Sequence, residues 1–148
     1  MSIRLVSISH KTAPLEVREL FAFTKEQQEE LMRTLISEGR AAESVVISTC
    51  NRTEIYTYYE DQDGQRKNLF TLQQQLILRA AGAENSPNVA DYLRFYQDEK
   101  AVCHLFSVAA GLDSMVVGED QILGQVKKAQ EQAQAAGTSG KYLNTLFR

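Results

Sequence analysis

The stretch that decides the fold is Val45–Tyr56, "VVISTCNRTEIY". Around it, Ser44–Thr49 "SVVIST" reads as one strand and Glu54–Glu60 "EIYTYYE" as another, both rich in β-branched and aromatic residues. Only Cys50–Thr53 "CNRT" separates them. Four residues leave no room for a crossover helix, which a parallel pair requires. The two segments therefore form a hairpin or one bent ribbon.

Upstream, Arg4–Ser9 "RLVSIS" is short, partly alternating and β-branched, so it reads as a strand that Pro14 closes off. "LEVRELFAF" predicts a short helical turn. Thr24 with Gln27 forms a capping box ahead of a helix whose stripe is Leu31 and Leu35, widened by Met32 and Ile36, with Gly39 as its stop. Downstream, "DQDGQ" is a turn and Arg66–Gly82 a helix with Leu69, Leu72, Leu76 and Arg79 on one side. "NSPN" is a loop and Tyr92–Gln97 "YLRFYQ" a fourth strand. Asp98–Gly111 is a helix with Asp98 as N-cap and Gly111 as terminator. "LDSMVVGED" is irregular. A last long helix carries Ile122, Val126, Ala129, Ala133 and Ala136 on one stripe. The succession is strand, helix, strand, strand, helix, strand, helix. It predicts an α+β, ferredoxin-like βαββαβ sandwich with an antiparallel sheet and additional C-terminal helices.

The 148 residues suit one domain, and hydrophobic (43%) and charged (24%) fractions are those of a globular protein. A net charge of -3 argues against a dedicated nucleic-acid coat. No run approaches the roughly 20 apolar residues of a membrane span, and "MSIRLVSISH", with too short an apolar run and no cleavage site, is not expected to be a signal peptide. Two cysteines form neither a disulfide framework nor a CxxC metal motif, which fits a cytoplasmic protein with reduced thiols. The eight glycines form no GxGxxG, and there is no P-loop, GxSxG or HExxH. The final "KYLNTLFR" begins an amphipathic helix that no stop residue ends, so the sequence is expected to be a piece of a longer chain.

Cys50 ends an apolar run, where a cysteine is most often packing. Yet Ser48, Thr49, Asn51 and Arg52 surround it with polar groups. In extended backbone Cys50 and Arg52 share a face, about 6–7 Å apart. A guanidinium there favours the thiolate, or it docks a substrate carboxylate. Cys103, beside Val102, Leu105 and Phe106, is expected to be core. Those three with Ala109 define the apolar stripe of their helix, and His104 falls about 150° from its centre. His104 is then either a solvated histidine or an acid–base group facing a cleft. His10 ends the first strand and either reaches the same end of the sheet or stabilises the turn. Glu119 and Asp120 suit a helix start, and Lys127 and Lys128 are a solvated face or a phosphate contact.

"HKTAP" with "VRE" behind it, "STCNRTEIY", and "AVCHLF" followed by "AAGLDSMVVGEDQILGQVKKA" together resemble the N-terminal domain of glutamyl-tRNA reductase. The resemblance runs from residue 8 to residue 129. It implies a single catalytic, glutamyl-tRNA-binding domain over residues 1–148. The NADPH-binding and dimerisation domains would lie outside this chain. It makes Cys50 the nucleophile and His104 the catalytic histidine. Substrate contacts fall on Thr49, Asn51, Arg52, Ser114, Glu119, Asp120, Gln121 and Gln125. Relatives carry Pro or Thr at Asp120, which leaves a role for its backbone. The implied reaction is reduction of glutamyl-tRNA to glutamate-1-semialdehyde for tetrapyrrole biosynthesis. NADPH is the cofactor of the intact enzyme and is not bound by this fragment; no metal is implied. Partners implied are glutamyl-tRNA, a second copy in a homodimer, and glutamate-1-semialdehyde aminomutase. The contrasting reading is a non-catalytic RNA- or protein-binding module, which would tolerate Cys50→Ser. A thiol redox protein is the third, weakened by the lack of a resolving cysteine nearby in sequence.

Overall fold

The computed structural model describes residues 2–11, 13–38, 41–49, 52–59, 74–82, 89–109 and 121–140, and every structural statement refers to these. Four strands form one antiparallel sheet: β1 (Ser2–Ser9), β2 (Glu43–Ser48), β3 (Arg52–Tyr59) and β4 (Arg94–Gln97). Their order is β2-β3-β1-β4. β3 inserts between β1 and β2, so the two strands of each β-α-β unit are split by a third, which is the ferredoxin-like arrangement. β2 and β3 pair directly, Ser48 opposite Thr53, as a hairpin.

Helices cover both faces of this sheet. On one face lie α1 (Leu15–Leu20) and α2 (Lys25–Ser37). Ser44 Oγ donates to the Met32 carbonyl at 3.0 Å, tying α2 down. The helical residues 74–80, α3, lie beside α2, where Leu31, Thr34, Leu76 and Arg79 line a shared groove. On the other face lies α4 (Glu99–Ala109), whose His104 reaches Glu54 of β3. α5 (Gln121–Ala135) runs along β2. Beyond it the Thr138 carbonyl accepts the Ser44 N–H at 2.8 Å, so the outer edge of β2 is covered. Covering on both faces explains why all eight residues of β3 are buried, polar ones included. The core joins Leu5, Val45, Ile47 and Tyr56 with Leu105 and Val108 on the α4 side, and Val6, Val46 and Ile55 with Met32 and Leu35 on the α2 side. Each such fully buried aliphatic or aromatic side chain contributes about 1.5–3 kcal/mol of transfer free energy.

Local signals account for the helix ends. Thr24 Oγ1 accepts the Gln27 N–H at 3.2 Å while Gln27 Oε1 accepts the Thr24 N–H at 2.8 Å, the expected capping box. Pro14 precedes α1 in extended conformation, and its carbonyl accepts from Val17 and Arg18. Gly82 (φ 69°) and Gly137 (φ 76°) follow α3 and α5 in the left-handed region, where only glycine is free of Cβ strain. The Val126–Ala129–Ala133 stripe of α5 is buried as expected. Gly39, Gly111, Leu69, Leu72 and the turn 61–65 lie outside the described residues, as does the side chain of Ile122.

Three expectations for α4 are corrected. Asp98 precedes the helix and its carbonyl accepts the Val102 N–H, but its carboxylate does not cap. Asp98 Oδ1 instead accepts the Ile3 N–H at 2.9 Å, and the Asp98 N–H donates to the Ile3 carbonyl at 2.7 Å, extending the β1–β4 ladder. It does so at φ 53°. Cys103 is exposed, not core. The buried stripe is Ala101, Leu105 and Val108, while Phe106 is 58% exposed. The stripe is rotated from the predicted one, because a residue at the surface can be apolar without being packed. His104 therefore sits beside the packed face, not opposite it.

Candidate active site

β3 begins at the site. Its first residue, Arg52, bonds back to Thr49. The Thr49 N–H donates to the Arg52 carbonyl at 2.8 Å, and the Arg52 N–H donates to Thr49 Oγ1 at 3.2 Å. Cys50 and Asn51 link these two residues in sequence and lie outside the described residues.

Two residues along the same strand face is Glu54, whose side chain is fully buried. A carboxylate in that position must be satisfied on both oxygens. It is. Ser7 Oγ of β1, directly opposite in the register, donates to Oε2 at 2.8 Å. Arg52 Nη1 lies 3.5 Å from the same oxygen. His104 Nε2 of α4 also bonds Oε2. The Tyr56 hydroxyl donates to Oε1 at 3.3 Å. Three strands' worth of constraint thus converge on one carboxylate: β1 and β3 hold it, and β4 braces its partner. The Tyr96 ring of β4 stacks on His104 with centroids 4.8 Å apart and planes 20° apart.

The imidazole is fixed by this contact and this stack, and its side chain is 14% exposed. With Nε2 on Glu54, Nδ1 is the ring nitrogen left to exchange a proton with a ligand. Arg52 is 2% exposed and already faces a carboxylate of its own chain. The sequence reading placed Arg52 on one face with Cys50, its guanidinium serving the thiolate or a substrate carboxylate. The structure shows it buried, because Glu54 draws its guanidinium inward.

Sequence reasoning missed Glu54 as a site residue. The signal was present: one acidic residue among "TEIYTYY", in a strand otherwise suited to burial, needs a paired environment. Thr49 adjoins the cluster through Arg52. Gln125 is exposed on α5, and no contact among the described residues brings it to Glu54. Gln121 opens α5, with its side chain outside the description. Asn51, Ser114, Glu119 and Asp120 also lie outside the described residues. Among the described residues no group of three His, Cys, Asp or Glu side chains is placed to hold a metal. No described helix is long and apolar enough to cross a membrane.

A family profile described as "Glutamyl-tRNAGlu reductase, N-terminal domain" matches residues 6–148. The chain belongs to this family. It is 45% identical over 152 residues to the glutamyl-tRNA reductase of Geobacillus thermodenitrificans (strain NG80-2), covering 100% of this chain and 31% of that protein. It is 40% identical over 147 residues to the glutamyl-tRNA reductase of Methylococcus capsulatus (strain ATCC 33009 / NCIMB 11132 / Bath), covering 99% of this chain and 33% of that one. The solved structure of the glutamyl-tRNA reductase from Methanopyrus kandleri matches with a TM-score of 0.76 at 34% identity, over 99% of this chain and 31% of that chain. The chain thus spans about a third of the length of these glutamyl-tRNA reductases. The cluster around Glu54 lies within the stretch that the glutamyl-tRNA reductase N-terminal profile matches.

Proposed function

We propose that this chain carries the acyl-transfer half of the glutamyl-tRNA reductase reaction. The observation that supports it is the convergence of Arg52 and His104 on Glu54, with Arg52 two residues after Cys50 in sequence, in a chain of this family.

A carboxylate is a poor hydride acceptor, whereas an aminoacyl ester is activated. The Cys50 thiolate attacks the ester carbonyl of glutamyl-tRNA, forming a C–S bond and breaking the bond to the ribose oxygen of the tRNA. That oxygen leaves with a proton from His104, which Glu54 and Tyr96 hold in orientation. The Arg52 guanidinium, a fork of N–H donors, is the group assigned to the side-chain carboxylate of the glutamyl group. Thr49, Asn51, Ser114, Glu119, Asp120, Gln121 and Gln125 complete the substrate contacts.

Reduction of the thioester to glutamate-1-semialdehyde requires NADPH. The sequence holds no Gly-rich strand-to-helix turn of the Rossmann kind, which supports placing NADPH elsewhere. In this proposal NADPH, the homodimer contacts and the encounter with the aminomutase belong to parts of a longer, cytoplasmic enzyme outside residues 1–148. Alone, the chain passes the glutamyl group to water. Deacylation of glutamyl-tRNA tests this. Wild type should accelerate release of glutamate, Cys50→Ser should lose that acceleration, and His104→Ala should slow it by about tenfold or more. Equal deacylation by wild type and Cys50→Ser would remove the proposal. A tight NADPH site within the chain would refute the division of labour.

A further inference from the structure

Arg94 opens β4, the strand at one edge of the sheet. In the register it lies opposite Ser7, which lies opposite Glu54, so the three share one cross-strand row. Side chains alternate faces along a strand, and Tyr96, two residues on, stacks on His104. Arg94 is therefore on the face that carries the Glu54 cluster. Its guanidinium is held without being neutralised. Arg94 Nη1 donates to the Asp91 carbonyl at 2.7 Å and to the Leu93 carbonyl at 3.1 Å. Both carbonyls precede β4, at the end of the sheet where Ser9 of β1 pairs with Arg52 of β3. The side chain is thus drawn toward that end. Arg94 is exposed and makes no ion pair among the described residues. Arg52, by contrast, is buried against Glu54.

We propose that Arg94 binds a backbone phosphate of the tRNA, that of the terminal nucleotide whose ribose carries the glutamyl ester. The inference rests on the reading of glutamyl-tRNA as the substrate. A ribose oxygen that takes its proton from His104 lies against the imidazole, and the phosphate of that nucleotide lies no further than the nucleotide's own length. Glu54 occupies Nε2 of that imidazole and Tyr96 one face of its ring. The outer edge of β2 is covered by the Thr138 segment. Among the described residues the edge left to a polyanion is β4, and Arg94 stands on it in the row of Glu54. The net charge of -3 repels RNA over the molecule as a whole, so a local cation has to supply the contact. A guanidinium fixed by two backbone carbonyls, with charge and further N–H donors open, suits a phosphate.

Binding of uncharged glutamate tRNA to this chain, followed by fluorescence anisotropy over a series of salt concentrations, tests the contact. Arg94→Gln should raise Kd by about fivefold or more, between the exposed and buried ranges for a charged contact. The slope of log Kd against log salt should fall by about 1. Arg94→Lys keeps the charge and should keep the slope, a rescue that loss of the Asp91 and Leu93 bonds would not give. With wild type, adenosine 5′-phosphate should displace the tRNA at a lower concentration than adenosine does, and Arg94→Gln should abolish that difference. An unchanged Kd or slope in Arg94→Gln, a slope that Arg94→Lys loses too, or equal displacement of wild type by the two nucleosides overturns the assignment. The underlying reading fails separately: deacylation that survives Cys50→Ser removes the reaction assigned to Cys50, whatever the tRNA titrations show.

Discussion

Glu54 concentrates the chemistry of the site in one carboxylate, which Ser7, Arg52, Tyr56 and His104 all reach. In Glu54→Ala, Arg52 and His104 keep their burial but lose their counter-charge or acceptor. Breaking a buried pair from one side costs about 3–5 kcal/mol. Urea unfolding should show a loss of that order. A loss below about 1 kcal/mol would mean that the cluster adds little to the fold. Tyr59 carries a second residue-scale effect. Burial raises its phenol above the ordinary 10.0, outweighing the Thr57 hydroxyl and the Arg4 guanidinium, which act in the opposite direction. A raised acid keeps its proton in the folded state after the unfolded chain has lost it. The stabilisation is therefore full below pH 10.0 and is lost as pH rises from there through the folded pKa. Tyr59→Phe should flatten the fall in melting temperature across that window. Parallel curves for the two proteins would contradict the assignment.

Elements were legible where one residue's local chemistry decides the outcome. The Thr24 box, the Pro14 break and Gly82 were each read from a single side chain or its absence, and each stands in the structure. α4 shows the opposite. Its apolar residues are spread around the wheel, so the sequence offers two stripes, and only the packing of Ala101, Leu105 and Val108 against the sheet selects one. That choice turned Cys103 outward and brought His104 onto Glu54, which no periodicity within α4 could announce. Asp98 was misread for a related reason: its best hydrogen-bond donor belongs to Ile3, 95 residues away. Two stability measurements follow. Thr24→Ala should cost about 1 kcal/mol, a fall of about 2–4 °C in melting temperature for a chain near this size. Gly137→Ala meets no atom within 4 Å, so its cost should be the backbone term alone, about 1 kcal/mol. Asp98→Ala should cost more than either, because it loses the Ile3 bond and keeps the positive φ.

Over the whole molecule, the absence of a crossover between β2 and β3 was enough to reach the fold class. The strand order β2-β3-β1-β4 brings Glu54, Ser7 and Tyr96 from three adjacent strands beneath α4. The site is thus a property of the sheet order, which explains why Cys50, Arg52 and His104 were named from sequence while the carboxylate joining two of them was not. The proposed function turns on a thioester between Cys50 of this chain and the glutamyl group. Intact-mass spectrometry after brief exposure to glutamyl-tRNA and acid quench tests it most directly, with Cys50→Ser in parallel. Wild type should carry a glutamyl adduct that is absent from Cys50→Ser and released by hydroxylamine. An adduct that persists in Cys50→Ser, or none on wild type with tRNA bound, would contradict it.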